Sequence, residues 1–191
     1  DAANVDLKAF TENFYWKITG AHLQPILDTL VYLKHETGVW LELTTLLIPG
    51  ENDSNSELDE MTGWVVEQLG PDVPMHFTAF HPDWKMLDRP PTPAATLTRA
   101  RDIAIRNGVH FAYTGNVIDE TGGSTWCHSC GQRLIGRAQY LLTEWNLTGD
   151  GCCTKCGTTC PGVFEAEPGT WGARRLPVRL RDFEPTGSDA R

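Results

Sequence analysis

Apolar residues at Leu23, Ile26, Leu27, Leu30, Val31 and Leu33 recur at intervals of three and four, which predicts a helix over residues 22–36 that Gly38 stops. The run Val39-Trp-Leu-Glu-Leu-Thr-Thr-Leu-Leu-Ile48 has no helical period and ends at Pro49-Gly50, so it reads as a buried strand. After the polar stretch from Glu51 to Asn55, Ser54 or Ser56 can cap a second helix carrying Leu58, Met61, Val65, Val66 and Leu69, closed by Gly70-Pro71. Met75 to Phe80 predicts a third strand. A helix from Ala94 to Asn107 follows Pro93, and Val109 to Tyr113 predicts a fourth strand, with a short opening strand over Val5 to Phe10.

Strands alternating with helices over short connections imply parallel neighbours joined by right-handed crossovers, and so an α/β fold. We expect a partial (β/α) barrel, because four strands cannot close a packed barrel and the first would leave an open edge. That edge, and a chain that opens Asp1-Ala-Ala-Asn without Met, lead to the expectation of a portion of a longer protein. In such folds the chemistry sits at the C-terminal ends of the strands. Attention therefore falls on Asp6 and Lys8, on Thr44 to Gly50, on His81 to Lys85, and on Thr114 to Asn116.

Composition narrows the function classes. With 191 residues and a hydrophobic fraction of 40%, the chain supports one moderate domain and a small appendage. Its formal net charge of -9 disfavours a nucleic-acid partner, and the residues around its cysteine motifs mix Arg133 and Arg137 with Glu144, Asp150, Glu165 and Glu167. No apolar stretch is long enough for a bilayer, so no membrane span and a cytoplasmic location are expected.

Two C-x-x-C-G knuckles, Cys127-His-Ser-Cys130-Gly131 and Cys153-Thr-Lys-Cys156-Gly157, stand twenty-two residues apart. Each tight turn brings two sulfurs to one side, and the glycine lets backbone N–H groups approach them. Cys127, Cys130, Cys153 and Cys156 are thus the expected ligands of a closed four-thiolate site in a zinc-ribbon or rubredoxin-like appendage holding zinc or iron. A disulfide framework of six cysteines is the weaker reading, since the chain can bury a core without staples and paired knuckles favour metal in a reducing compartment. Cys152 stands beside a ligand as an alternative donor, Cys160 reads as a small buried residue, and His128 is not expected to ligate. The division expected is residues 1–118 for the barrel portion, 119–165 for the ribbon and 166–191 for a tail.

The segments Asn4-Val-Asp-Leu-Lys-Ala9, Leu47-Ile-Pro-Gly-Glu-Asn-Asp-Ser54, His76-Phe-Thr-Ala-Phe-His-Pro82 and Tyr113-Thr-Gly-Asn-Val117 resemble those of radical S-adenosylmethionine (SAM) activases. The resemblance is nearer to the AmmeMemoRadiSam-system enzymes, related to the glycyl-radical pyruvate formate-lyase activating enzymes, whose partial barrel is followed by a ribbon like Thr125 to Gly131. It implies SAM as a partner, and a protein substrate or the partner proteins of that system. In the family a C-x3-C-x2-C motif holds a four-iron, four-sulfur cluster that cleaves SAM reductively to a radical. This chain lacks the motif, because Cys152-x3-Cys156 meets Thr159 at the third position. The resemblance therefore implies the C-terminal part of such an enzyme, inactive alone.

Carried over by position, the resemblance places Asp6 and Lys8 near the methionyl group of SAM and makes His81 a SAM contact, with Asn116 a cofactor-binding candidate. Where activases often place an arginine before Pro-Gly, this chain has Thr44. Asn52 and Asp53 follow the family pattern but read as turn formers and caps. Two other readings stay open: a metal-ribbon interaction module on an inert α/β scaffold, and rubredoxin-like electron transfer.

Overall fold

The computed structural model describes residues 1–169, and the tail expected over residues 166–191 lies mostly outside them. Four strands, β1 (Ala2–Asp6), β2 (Trp40–Leu47), β3 (Met75–Ala79) and β4 (Ala112–Gly115), form one parallel sheet in chain order. The helices α2 (Leu23–Glu36), α3 (Asn55–Leu69) and α4 (Ala94–Arg106) connect them. They cover one face of the sheet. Leu43, Leu47, Met75 and Phe77 from the strands pack there against Leu30, Leu58, Met61, Val65, Leu97 and Ala100.

The helix ends follow the expected chemistry. The Ser54 hydroxyl accepts the Glu57 N–H at the start of α3, and Gly70 ends that helix at φ 89°, a value glycine adopts without strain.

Two expected strands shift. The first covers Ala2–Asp6 rather than Val5 to Phe10. Leu7 extends the ladder by one bond, from its N–H to the Thr44 carbonyl oxygen (3.0 Å), and then Leu7 and Ala9 turn inward as fully buried residues. The fourth covers Ala112–Gly115 rather than Val109 to Tyr113, because Val109 still bonds back to the Ala104 carbonyl oxygen at the end of α4. Between β1 and α2 the chain also makes a helical turn, α1 (Glu12–Phe14), continued by a π-helical turn over Tyr15–Thr19. Its apolar Trp16 and Ile18 are exposed, so no buried stripe marks it in the sequence.

The second correction concerns β2. Read as buried throughout, it alternates: Leu41, Leu43, Thr45 and Leu47 are buried, while Trp40, Glu42, Thr44 and Leu46 on the other face are half-exposed. The face away from the helices is open and polar. Pairing places Asp6, Thr44, His76 and Tyr113 in one row across it, with Asn4 beside Glu42 in the row before.

After β4, the short helix α5 (Glu120–Gly123), capped by Asp119, leads into an antiparallel sheet of β5 (Thr125–Trp126), β6 (Arg133–Ala138) and β7 (Leu141–Trp145). Its core gathers Leu134, Ile135, Leu147, Cys127, Cys153 and Cys160, and also Phe111 from the residue before β4. Phe111 therefore ties the small sheet to the edge of the large one.

Candidate metal centre and strand-end site

The two knuckles fold alike. Gly131 N–H bonds to the Cys127 carbonyl oxygen (2.9 Å) and Gly157 N–H to that of Cys153 (2.8 Å), with both glycines left-handed at φ 69° and 76°. Gln132 and Thr158 carbonyl oxygens accept the N–H groups of Cys127 and Cys153, both at 2.8 Å, so each knuckle closes its own small loop. The isolated bridge Leu147↔Cys153 sets the second knuckle against the chain leaving β7.

This brings the sulfurs of Cys127, Cys130, Cys153 and Cys156 within 4.8 Å of one another. Cys127 and Cys156 sulfurs lie 3.6 Å apart, and those of Cys130 and Cys153 3.8 Å apart. A tetrahedron of thiolates about 2.3 Å from a zinc or iron ion has edges of about 3.8 Å, so the donor set and its spacing fit a metal ion. Crowding splits the thiol acidities. Hydrogen bonds from the Thr158 hydroxyl and backbone N–H draw Cys156 down to about 6. Cys130, despite the Gln132 N–H that lowers it most, is pushed up to about 12 by burial and its three sulfur neighbours. A cation is what lets all four ionise together.

The other cysteines stand apart. Cys152 sulfur faces the Thr159 hydroxyl at 3.7 Å, and Cys160 is buried in the ribbon core, where burial first and the Cys127 charge second push it up to about 11. His128 is no part of the sulfur cluster; its ring stacks on His110 with centroids 4.0 Å apart.

At the C-terminal ends of the parallel strands, Lys8 Nζ pairs with Asp6 at 3.0 Å, both partly exposed. The loop beneath them is fixed by buried groups: Tyr15 hydroxyl accepts the Lys8 N–H (3.1 Å), and the Glu57 carboxylate accepts the Phe10 N–H (2.7 Å). Asn52 is fully buried; it accepts the Ile48 N–H (2.7 Å) and donates to the carbonyl oxygens of Lys8 (2.6 Å) and Leu46 (2.9 Å). Asp53 accepts the Gly50 N–H (2.8 Å), so both residues shape the turn. Thr44 Oγ1 donates to Asn4 Oδ1 at 2.7 Å. His81 is exposed just beyond β3, and Asn116, left-handed at φ 60°, donates to the Ala79 carbonyl oxygen at 3.2 Å. Asp6, Lys8, His81 and Asn116 thus share one end of the sheet, and of these only Asp6 and Lys8 are in contact among the described residues.

A second constellation escaped the sequence reading. On the open face, His76 Nε2 lies 2.8 Å from Glu42 Oε2, and Trp40 Nε1 donates to Glu42 Oε1 at 3.0 Å. The His76 hydrogen bond, followed by that of Trp40 and the charges of His76 and Arg137, holds the Glu42 carboxyl below its ordinary range against the opposing effect of burial. The His76 ring stacks on Tyr113 (5.0 Å), whose other neighbour is the guanidinium of Arg137 at 5.8 Å from the ring. The signal was present in part: polar residues at alternate positions 42, 44, 76 and 78 mark an open face.

Comparison with known proteins agrees with the architecture. No family model matches the chain. An uncharacterized protein of Methanocaldococcus jannaschii, MJ0808, is 42% identical over 147 residues, which are 77% of this chain and 44% of that protein. The chain thus spans less than half the length of the curated relative it matches. The crystal structure of a domain of pyruvate-formate lyase-activating enzyme from Bacteroides vulgatus superposes with a TM-score of 0.52 at 14% identity, covering 60% of this chain and 67% of that one. The α/β fold with four parallel strands is therefore shared with an activating-enzyme domain.

Proposed function

We propose that the chain is the C-terminal portion of a radical SAM activase-like enzyme: residues 1–118 form part of a (β/α) barrel and residues 119–165 a metal ribbon. One observation carries this reading. A parallel sheet like that of the activating-enzyme domain bears the Asp6–Lys8 pair, the buried Asn52 turn, His81 and Asn116 at its C-terminal end, beside a face left open and polar. Lys8 offers an ammonium to a carboxylate, and Asp6 orients that ammonium or takes up an amine. Bound SAM would supply hydrogen-abstraction chemistry, toward a protein or small-molecule substrate. The cysteines for the iron–sulfur cluster would come from a segment outside this sequence, so no chemical step is assigned to this chain alone.

The ribbon tetrathiolate, on this reading, is structural, since its four ligands leave no open position. Cys156 is exposed, which also favours single-iron electron transfer as a second reading. Colour separates the two: zinc tetrathiolate is colourless and ferric tetrathiolate is red.

The decisive experiment is anaerobic iron and sulfide reconstitution followed by assay for 5′-deoxyadenosine under strong reductant. This chain alone is expected to give none, and the longer protein that contains it is expected to give the product. A longer protein that carries the cluster and leaves SAM intact would overturn the reading.

A further inference from the structure

The open face of the sheet and the ribbon enclose a cleft of about 910 Å³, lined among others by Glu42, His76, Tyr113, Arg137, Ile118 and Tyr140. Its polar groups are of two kinds. Most are already committed to partners: Asp119 caps α5 through the Gly122 N–H (2.9 Å) and accepts the Thr114 hydroxyl (2.9 Å), while Glu120 pairs with Arg133 (2.9 Å). Two are not.

Arg137 is the first. It forms no ion pair among the described residues; its Nη1 donates to Thr125 Oγ1 (2.7 Å) and the Gly123 carbonyl oxygen (3.3 Å). Those bonds fix one edge of the guanidinium and leave the other donors available. The backbone is shaped around it. Between Gly136 and Arg137 the pairing with β7 slips, leaving Thr143 unopposed, and a Cβ on Gly136 would meet Thr143 Oγ1 at 2.6 Å. The extra residue makes β7 the bulged strand, which bends opposite Arg137.

His76 is the second. The Glu42 carboxylate can only accept, so whenever the imidazole is neutral its proton sits on Nε2. Nδ1 is then a lone-pair acceptor, with no hydrogen-bond partner among the described residues. The ring is held from three elements: Glu42 on β2, Tyr113 on β4 and, across Tyr113, Arg137 on β6. A carboxylate that orients an imidazole and steadies its protonated form is the arrangement that makes a histidine an effective base.

We propose that this cleft is a binding site for an oxyanion-bearing ligand, a carboxylate or phosphate compound, whose anionic group Arg137 holds while His76 Nδ1 accepts a proton from it. The proton moves from a ligand O–H or N–H to Nδ1, giving an imidazolium paired with the Glu42 carboxylate, and returns by the same route. Ile118 and Tyr140, both exposed at the rim, offer apolar contact for the rest of the ligand. Arg137, His76 and Glu42 all belong to this chain, so the proposal does not depend on SAM binding at the strand ends.

The test is NMR of the full chain with ¹⁵N-labelled histidine, titrated separately with acetate and inorganic phosphate at constant ionic strength. The expected results are a His76 spectrum of the Nε2–H form and saturable shifts at His76 with at least one anion; the stronger arm identifies the source. Arg137→Gln is expected to weaken that binding about tenfold or more, and Arg137→Lys to retain part of it. Arg133→Gln, which removes an arginine already paired with Glu120 and Glu144, is expected to change it little. If Arg137→Gln unfolds the ribbon, the His76 form and the Arg137→Lys titration decide. An Nδ1–H form, no saturable shift with either anion, or unchanged binding in folded Arg137→Gln would overturn the proposal.

Discussion

The side-chain amide of Asn52 donates to the carbonyl oxygen of Lys8 at 2.6 Å, so the turn after β2 holds the end of β1 in place. Asn52 also serves Ile48 and Leu46, and it is fully buried. Asn52→Ala would leave three backbone groups without a partner, at a cost of about 2 to 4 kcal/mol. Urea unfolding checks this; a loss below about 1 kcal/mol would mean that water replaces the amide.

One tightly held metal ion per chain, zinc in preference to iron, is expected at the knuckles. Cys127→Ser or Cys153→Ser should release it with loss of the ribbon fold, because metal binding and folding are coupled in small tetrathiolate modules. Cys160→Ser and Cys152→Ser should retain it, since neither sulfur belongs to the cluster. Elemental analysis of freshly purified reduced protein decides, and metal-free wild type would exclude the site.

Glu42 and Glu57 should respond to pH with opposite signs. The His76 hydrogen bond lowers Glu42, so its contribution is present above the ordinary value of 4.5 and is lost as pH falls through the lower folded value. Burial raises Glu57, so its relative contribution is present below 4.5 and is lost as pH rises through the raised folded value. Glu42→Gln should flatten the acid side of the stability profile. Glu57→Gln should be neutral or mildly stabilising at pH 7, because an amide oxygen can still accept the Phe10 N–H. Urea midpoints measured from acid to neutral pH test both, and shifts of the same sign would contradict the assignment.

If the proposed SAM reading holds, Lys8→Ala in a longer protein that carries the cluster should lower SAM binding or turnover about tenfold to a hundredfold, the range for losing a charged hydrogen bond. His81→Ala should also weaken it. Lys155→Ala, inside a knuckle yet without a ligand atom, is the control. Unaltered cleavage in both strand-end variants would reduce the likeness to activases to one of fold.

Much of the architecture was legible because local chemistry and tertiary burial agree. Ser54 and Gly70 bound α3 as their residue types demand, and each knuckle glycine sits where its backbone freedom is needed. The strand ends were less legible. Val5, Leu7 and Ala9 continue a period of two, yet only pairing with Thr44 decides where the ladder stops. Phe111 reads as strand core, although it packs with the ribbon. The Glu42–His76 pair joins residues 34 positions apart, and Arg137 reaches Tyr113 from a different sheet. No single-strand pattern encodes such meetings; alternation shows which face is open, and not what comes to stand over it.

His76 rises from the sheet and Arg137 descends from the ribbon, so the two sides of the cleft lie in pieces with separate apolar cores. What the cleft admits and what the strand ends do are then separable by descent. A lineage that exchanges or re-registers its β6–β7 hairpin alters what the cleft admits while every strand-end residue stays as it was. Chimaeras that graft ribbons onto a constant sheet offer a direct way to move one property without the other.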